Sequence, residues 1–226
     1  YVINGNFDIW QRGTSFTGMT QSYTNYQADH WQITPSGNSA VLSVTRQTFA
    51  ADQTDVPNHP QYYCRCDVTT VASSADTGEV TTPIEDVRNL AGKPVVLTFW
   101  AKTVSGTTTL TMRLKQNFGS GGSGDAYTSL GAANLTTNWQ KFTLTATCAS
   151  ISGKTVGANS WVGVNWYWNN NSTTTDDIDI AQFQLEEGTV STLFEYRTIQ
   201  ETLSDCQRYY QKSYNTTVDP GTGSAV

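Results

Sequence analysis

The side chains that most often perform catalysis form no recognisable catalytic motif in this chain. His30 and His59 are the two histidines, and neither belongs to an H-x-x-x-H metal pair or accompanies a G-x-S-x-G nucleophile motif. A glycosidase needs two carboxylates about 5 to 10 Å apart across the scissile bond. The acids that could supply them are Glu79, Glu85, Asp86, Asp125, Glu186 and Glu187. Their spacing brings no two of them into one cleft, so we predict a non-enzymatic protein and keep glycoside hydrolysis as an alternative.

Oxygen-rich side chains occur near both ends of the chain and raise the question of a metal ion. The acidic group at Asp176, Asp177 and Asp179 and the opening group at Asn4, Asn6 and Asp8 carry the oxygen ligands that calcium prefers. Asn and Asp side chains also cap turns by bonding to nearby backbone groups. We favour turn capping and expect no cofactor, with a structural calcium ion as the alternative.

Aromatic and polar side chains on three predicted strands have the chemistry of a sugar-binding face. A pyranose presents an apolar ring face and a rim of hydroxyls, which suit a flat aromatic ring and nearby amides or charges. The candidate ligand-binding residues are Trp100, Arg113, Lys115, Trp161, Asn165 and Tyr167. Aromatics on strands also serve as core or cross-strand packing. A one-residue error in register, as Trp166 shows, would exchange the inward and outward sets.

Charge and hydropathy exclude two classes of partner. The net charge is -6 and the sequence pI is about 4.8, whereas a nucleic-acid groove depends on Lys and Arg to neutralise phosphates. No apolar stretch approaches the roughly 20 residues of a membrane-spanning helix. We therefore expect no nucleic-acid partner and no membrane insertion.

The four cysteines lack the spacing of a disulfide scaffold or a zinc site. Cys64 and Cys66 are two residues apart on a predicted strand, where neighbours are poorly placed to bridge each other. We predict buried free thiols, which fits assembly in a reducing cytoplasm.

Several segments alternate apolar and polar residues with the period of a half-buried strand. In residues 96–103, for example, Leu97 and Phe99 share one face and Trp100 lies on the other. Further strands are predicted at 41–48, 61–69, 110–115, 141–148, 161–168 and 178–185, with long loops at 49–60 and 73–87. About eight strands cannot bury all their apolar faces in one sheet, so we predict an all-β fold of two antiparallel sheets.

One helix is predicted after the strands. Thr198 and Glu201 have the spacing of a capping box, and Leu203, Cys206 and Tyr210 follow at helical spacing. Its apolar stripe must be covered by the parent domain or by another subunit. We divide the chain into a β-sandwich at 1–196, a C-terminal helix at 197–213, and a linker or the start of a further module at 214–226.

The opening and closing motifs together resemble those of one family. They are the stretch NGNFDIWQRG at 4–13, ADHW at 28–31, DDIDIAQFQLEEG at 176–188, FEYR at 194–197 and CQRYY at 206–210. In this order they resemble the jelly-roll modules of bacteriophage tail fibres and other virion proteins, which are relatives of carbohydrate-binding modules. The resemblance covers residues 1–212.

The resemblance implies a jelly-roll sandwich with Phe7, Trp10 and Trp31 in its core, carried on a virion appendage that is assembled in the host cytoplasm. It implies contacts with other virion subunits, including a homotrimer. The expected function is non-catalytic binding of glycans on a host surface. A purely structural domain for virion assembly or decoration is the alternative, and a glycoside hydrolase or its accessory module is the third.

Overall fold

The computed structural model describes residues 1–21, 26–36, 40–70, 77–169 and 177–213, and it confirms two antiparallel sheets packed as a sandwich. The strands are β1 (Ser15–Met19), β2 (Gln32–Ser36), β3 (Val41–Thr48), β4 (Tyr62–Thr70), β5 (Thr77–Glu85), β6 (Pro94–Thr103), β7 (Thr108–Asn117), β8 (Ala126–Leu135), β9 (Gln140–Thr147), β10 (Trp161–Asn169) and β11 (Asp177–Glu187). The six-stranded sheet has the order β1-β3-β4-β11-β6-β9, and the five-stranded sheet has the order β2-β5-β10-β7-β8.

The predicted alternation of faces is confirmed where the sequence pattern is strong. On β7, Leu110, Met112 and Leu114 are fully buried, while Arg113 and Lys115 between them are half-buried. The inward side chains of both sheets meet because each sheet must hide one apolar face from water.

Aromatic rings from both sheets form the centre of the core. Phe183 of β11 lies 5.0 Å from Trp166 of β10, 5.1 Å from Trp31 and 5.5 Å from Phe99, measured between ring centroids. All four rings are fully buried. The expected core positions of Phe7, Trp10 and Trp31 are confirmed, and Trp166 faces inward as the predicted register of its strand requires.

The prediction of a loop at 73–87 is wrong, because β5 occupies most of that segment. β5 pairs with β10 along its whole length, and Pro83 lies opposite Gly163. Proline cannot donate to a ladder and is normally confined to strands with a free side. β2 pairs with β5 only as far as Thr81, so at Pro83 one side of β5 has no partner strand among the described residues.

The helix begins as predicted and is shorter than predicted. It is α1, Ile199–Gln207, and its capping box is present, since Thr198 Oγ1 accepts from the Glu201 amide and Glu201 Oε2 accepts from the Thr198 amide. Thr202 and Cys206 are buried against the sandwich, whereas Ile199 is 58% exposed. The predicted linker at 214–226 lies outside the described residues.

All four cysteines are buried free thiols, as predicted. Cys64 and Cys66 place their sulfur atoms 3.8 Å apart on one face of β4. Burial raises the pKa of the Cys148 thiol to about 11 and also raises that of Cys206. Within the described ranges, no helix has the length and hydropathy to cross a bilayer.

Candidate functional site

The outward face of the five-stranded sheet brings together five of the six candidate residues. β10 and β7 pair so that Asn165 lies opposite Arg113 and Tyr167 lies two residues further along the same face. Lys115 lies opposite Gly163, and Trp161 lies at the start of β10. The face is therefore built by side chains that alternate with the buried residues of the same strands.

Trp100 does not join this group. It lies on β6 of the other sheet, where it pairs with Lys141 of β9 and Ala181 of β11. The two sheets of a sandwich turn their outward faces in opposite directions. A single face containing all six candidates is therefore not formed.

A row of aromatic rings and cationic groups crosses the face. The Arg113 guanidinium carbon lies 4.1 Å from the Tyr127 ring centroid and 4.9 Å from that of Tyr167. Lys115 Nζ lies 5.8 Å from the Tyr127 ring centroid and 5.6 Å from that of Trp161. These distances are those of cation–π contacts. The row Tyr167–Arg113–Tyr127–Lys115–Trp161 is called the aromatic face below.

Asn165 lies beneath Arg113 rather than on the surface. It is fully buried, its Oδ1 accepts a hydrogen bond from Arg113 Nε, and its Nδ2 donates to Glu79 Oε1 at 2.6 Å and to Thr81 Oγ1 at 2.9 Å. A ligand on the face would not reach it. Its place in the structure is that of a residue that orients Arg113 and Glu79.

The charges of the face nearly cancel. Arg113 lies 3.6 Å from Glu79 and Lys115 lies 3.2 Å from Asp125, and all four side chains are 20 to 31% exposed. Charged groups held in pairs can still give and accept hydrogen bonds at their free atoms. The face therefore suits an uncharged ligand rich in hydroxyls better than a phosphate or a polyanion.

Three further residues of this face were not among the predicted ligand-binding residues, namely Glu79, Thr81 and Tyr127. Glu79 and Thr81 belong to β5, which was predicted to be a loop. Tyr127 belongs to β8, which carries no clear alternation.

The acids considered for hydrolysis lie in three separate parts of the molecule, and Glu85 and Asp86 are neighbours at the end of β5. Glu79 and Asp125 are paired with cations on the aromatic face, whereas Glu187 is on β11 of the other sheet, where Lys93 and Tyr1 bond to it. Those two bonds lower the pKa of Glu187, while a catalytic acid needs a raised pKa. Glu187 is therefore not tuned to protonate a leaving group.

The residues considered for calcium do not build a common site, as far as they lie within the described ranges. Asn4 bonds to the backbone of Ile9 and Asp29, which is the turn-capping arrangement that we favoured. Both carboxylate oxygens of Asp179 accept hydrogen bonds from Arg65, at 2.7 and 2.8 Å. Asp176 lies outside the described residues. The part of the chain that the structure describes contains no group of three or more metal-ligating side chains arranged to hold an ion.

The chain matches no family model and no curated protein. Solved structures with a similar fold include a carbohydrate-binding module described as CBM4. It is 16% identical, the alignment covers 83% of this chain and 100% of that chain, and the TM-score is 0.46. The module TmCBM61 in complex with β-1,4-galactotriose is 12% identical, with 83% and 98% covered and a TM-score of 0.43.

A phage protein has a similar fold as well. The enzymatically active domain of bacteriophage CBA120 tailspike protein 4 is 16% identical, with a TM-score of 0.43, and the alignment covers 80% of this chain and 23% of that chain. These similarities concern the β-sandwich, and at such identities and TM-scores they carry no argument about the ligand of this chain.

Proposed function

We propose that this chain is a non-catalytic module that binds a glycan along the aromatic face. The observation that carries the proposal is the row of three aromatic rings, from Tyr167, Tyr127 and Trp161, interleaved with Arg113 and Lys115. Such a row offers flat apolar surfaces for sugar rings and hydrogen-bonding groups for their hydroxyls at the same time.

The dimensions of the face favour an oligosaccharide over a single sugar. Trp161 and Tyr167 are six residues apart on β10, and a strand rises about 3.3 Å per residue, so their Cα atoms are about 20 Å apart. Tyr127 lies between them on the row, two strands away. Three stacking positions along this length suit a chain of several sugar residues.

The finer proposal is a phage tail fibre or similar virion appendage whose ligand is a polysaccharide on a bacterial surface. Its support is the order of the motifs at 4–13, 28–31 and 176–188. The purified domain should compete with a phage for adsorption to a bacterial strain whose polysaccharide the domain binds. If the domain binds a panel of strains and competes with phage on none of them, the virion role is contradicted.

The alternative of a structural domain for assembly has one observation in its favour. Between β11 and α1 the chain exposes Val190 by 81% and Leu193 by 84%, followed by Ile199 at 58%. Exposed apolar residues close together often mark a contact between subunits. This segment supports contact with another virion subunit, including a homotrimer, and does not compete with glycan binding on the aromatic face.

Binding to an array of bacterial polysaccharides tests the proposed function. The perturbation is Tyr127→Ala, and the matched control is Tyr62→Ala, because Tyr62 also stacks on an arginine, Arg46, at 4.2 Å. Tyr127 is 47% exposed. If a sugar covers roughly 60 Å² of its ring, the lost burial is about 1.5 kcal/mol, or about tenfold in Kd.

The wild type should retain at least one polysaccharide, and Tyr127→Ala should weaken its retention about tenfold while Tyr62→Ala changes it less than twofold. Equal loss in the two variants would contradict the assignment of the face. Retention of no glycan would favour the structural alternative, and release of reducing sugar from a bound polysaccharide would favour a hydrolase.

A further inference from the structure

A cavity of about 590 Å³ lies at one end of the sandwich, next to the last turn of α1. Its walls include His30, Glu85, Asp86, Arg88, Trp161 and Tyr209. This volume is in the usual range for small-ligand sites, about 300 to 1,000 Å³. Among the residues of the aromatic face, Trp161 is the one that also lines this cavity.

Ion pairs and a stacked arginine hold the walls of the cavity together. Arg12 is 2.8 Å from Asp29 and lies 3.6 Å from the centroid of the Tyr210 ring. Gln11 donates to the Tyr210 carbonyl at 3.0 Å, and Arg208 pairs with Glu85. The end of the helical segment is thereby fixed to the opening segment and to β5, so the cavity exists before any ligand arrives.

The lining combines an aromatic wall with polar groups that can form further hydrogen bonds. Tyr209 is 43% exposed, and its ring and that of His30 form a T-shaped pair with their centroids 4.4 Å apart. His30 is 8% exposed, and its Nδ1 has no hydrogen-bond partner among the residues that the structure describes. Burial lowers the pKa of His30 to about 4, so the imidazole is uncharged at neutral pH.

The ionic groups around the cavity balance one another. Asp29 pairs with Arg12, Asp86 pairs with Arg88 at 3.2 Å, and Glu85 pairs with Arg208. A charged ligand would gain no unopposed partner from these pairs and would lose hydration. An uncharged polyol can hydrogen-bond to their outer atoms without that loss.

The cavity continues from the aromatic face. Trp161 borders both, since its ring also lies 5.6 Å from Lys115 Nζ. The outward positions Pro83 and Glu85 of β5 also line the cavity. A chain lying along the face toward Trp161 would enter the cavity, whose lining also includes Cys206, Tyr209 and Tyr210.

We propose that the cavity binds the terminal residue of the glycan and requires that residue to be a neutral sugar, an inference that rests on the proposed function of the aromatic face. The aromatic face then binds internal residues, and the cavity sets which chain end is accepted.

NMR titration with free monosaccharides tests the cavity apart from the long face. The probes are glucose, galactose, mannose, rhamnose and N-acetylglucosamine, with glucuronate as the charged comparison. At least one neutral sugar should shift the Trp161 indole and Tyr209 signals, and glucuronate should bind at least tenfold more weakly. The inference is overturned if no neutral sugar shifts these signals or if glucuronate binds as well as the neutral sugars do.

Two cavity variants separate this inference from the proposed function. Tyr209→Ala removes the aromatic wall, and Arg88→Ala removes an exposed side chain whose loss should not affect folding. Both should weaken retention of the bound polysaccharide at least threefold. If Tyr127→Ala weakens retention and neither cavity variant does, the cavity inference alone fails. If both cavity variants weaken retention and Tyr127→Ala does not, the cavity is upheld and the aromatic face is wrong.

Discussion

Replacing Asn165 with alanine should destabilise the fold far more than an ordinary surface substitution on the same sheet. Asn165 is fully buried and makes hydrogen bonds to Arg113, Glu79, Thr81 and the Val80 carbonyl. A hydrogen bond to a charged group contributes about 1.5 to 3 kcal/mol and a neutral one about 1 kcal/mol. Because an amide NH2 group has two hydrogens, Nδ2 makes no more than two full bonds, so two bonds to charged groups and one neutral bond would sum to roughly 4 to 7 kcal/mol.

The net loss of stability should be smaller, because some of the groups that lose Asn165 as a partner become hydrated. The side chains of Arg113 and Glu79 are 26% and 29% exposed, so we expect a loss of about 3 to 4 kcal/mol. In a domain of this size, 1 kcal/mol shifts Tm by about 2 to 4 °C, which gives a fall of about 10 °C. Thermal unfolding followed by tryptophan fluorescence, with urea unfolding as the second measurement, gives both values.

Asn134→Ala is the matched control. Asn134 is an exposed asparagine on β8 whose Oδ1 accepts a single bond from Thr109, at 2.9 Å, and its loss should cost less than about 1 kcal/mol. If Asn165→Ala is as mild as Asn134→Ala, Asn165 does not organise the aromatic face and our reading of Arg113 is refuted. If Asn165→Ala is strongly destabilising, glycan affinity should also fall, because Arg113 loses the bond that orients it.

Three further predictions concern the thiols, the buried histidine and the assignment of faces. Native protein should be almost unreactive toward a thiol reagent, and about four groups should react after denaturation without reductant, because all four cysteines are buried and unbridged; none reacting would mean two disulfides. The pKa of His30 is about 4 in the folded state against about 6.5 unfolded, so its contribution of about 3 kcal/mol is complete above pH 6.5 and is lost as pH falls toward 4. The variant His30→Asn should lose the acid destabilisation that comes from His30, and asparagine tolerates the left-handed backbone at φ 72. If the pH profile of Tm is the same in the variant and the wild type, the assignment to His30 is wrong. Phe99→Ala should cost about 3 to 5 kcal/mol because the ring is fully buried, whereas Trp100→Ala should cost at least about 2 kcal/mol less; equal losses in Tm would show that Trp100 belongs to the core.

The strands with regular alternation were predictable because the apolar residues in their sequences are the buried ones and the polar residues between them face outward. β7 and β10 follow the two-residue period, so the outward position of Arg113, Lys115 and Tyr167 was read correctly from sequence. The alternation fails where the backbone departs from a regular ladder. The sheet that a strand joins, in contrast, depends on partners elsewhere in the chain, and this is why Trp100 on β6 could not be separated from the candidates on β7 and β10.

β8 shows how an irregular ladder hides a strand. Met112 pairs with Gly131 and Arg113 pairs with Ser129, so Leu130 is an extra residue in β8. Gly131 has φ 108, a conformation that favours glycine at such bulges. The bulge shifts the period of buried residues and breaks the pattern in the sequence. Tyr127, which completes the aromatic face, was missed for this reason.

The position of β11 in the six-stranded sheet means that the sheet cannot be completed until residues 177–187 have been synthesised. β11 is the last strand among the residues that the structure describes, yet it lies between β4 and β6. Before residues 177–187 leave the ribosome, β4 can pair with β3 and β6 with β9, but each pair keeps a bare edge. Bare edges are templates for association with other chains, and pairing over such sequence distances is slow. A growing chain that has not yet made β11 is therefore exposed to aggregation through these edges, and a shortened version that lacks residues 177–187 keeps them bare.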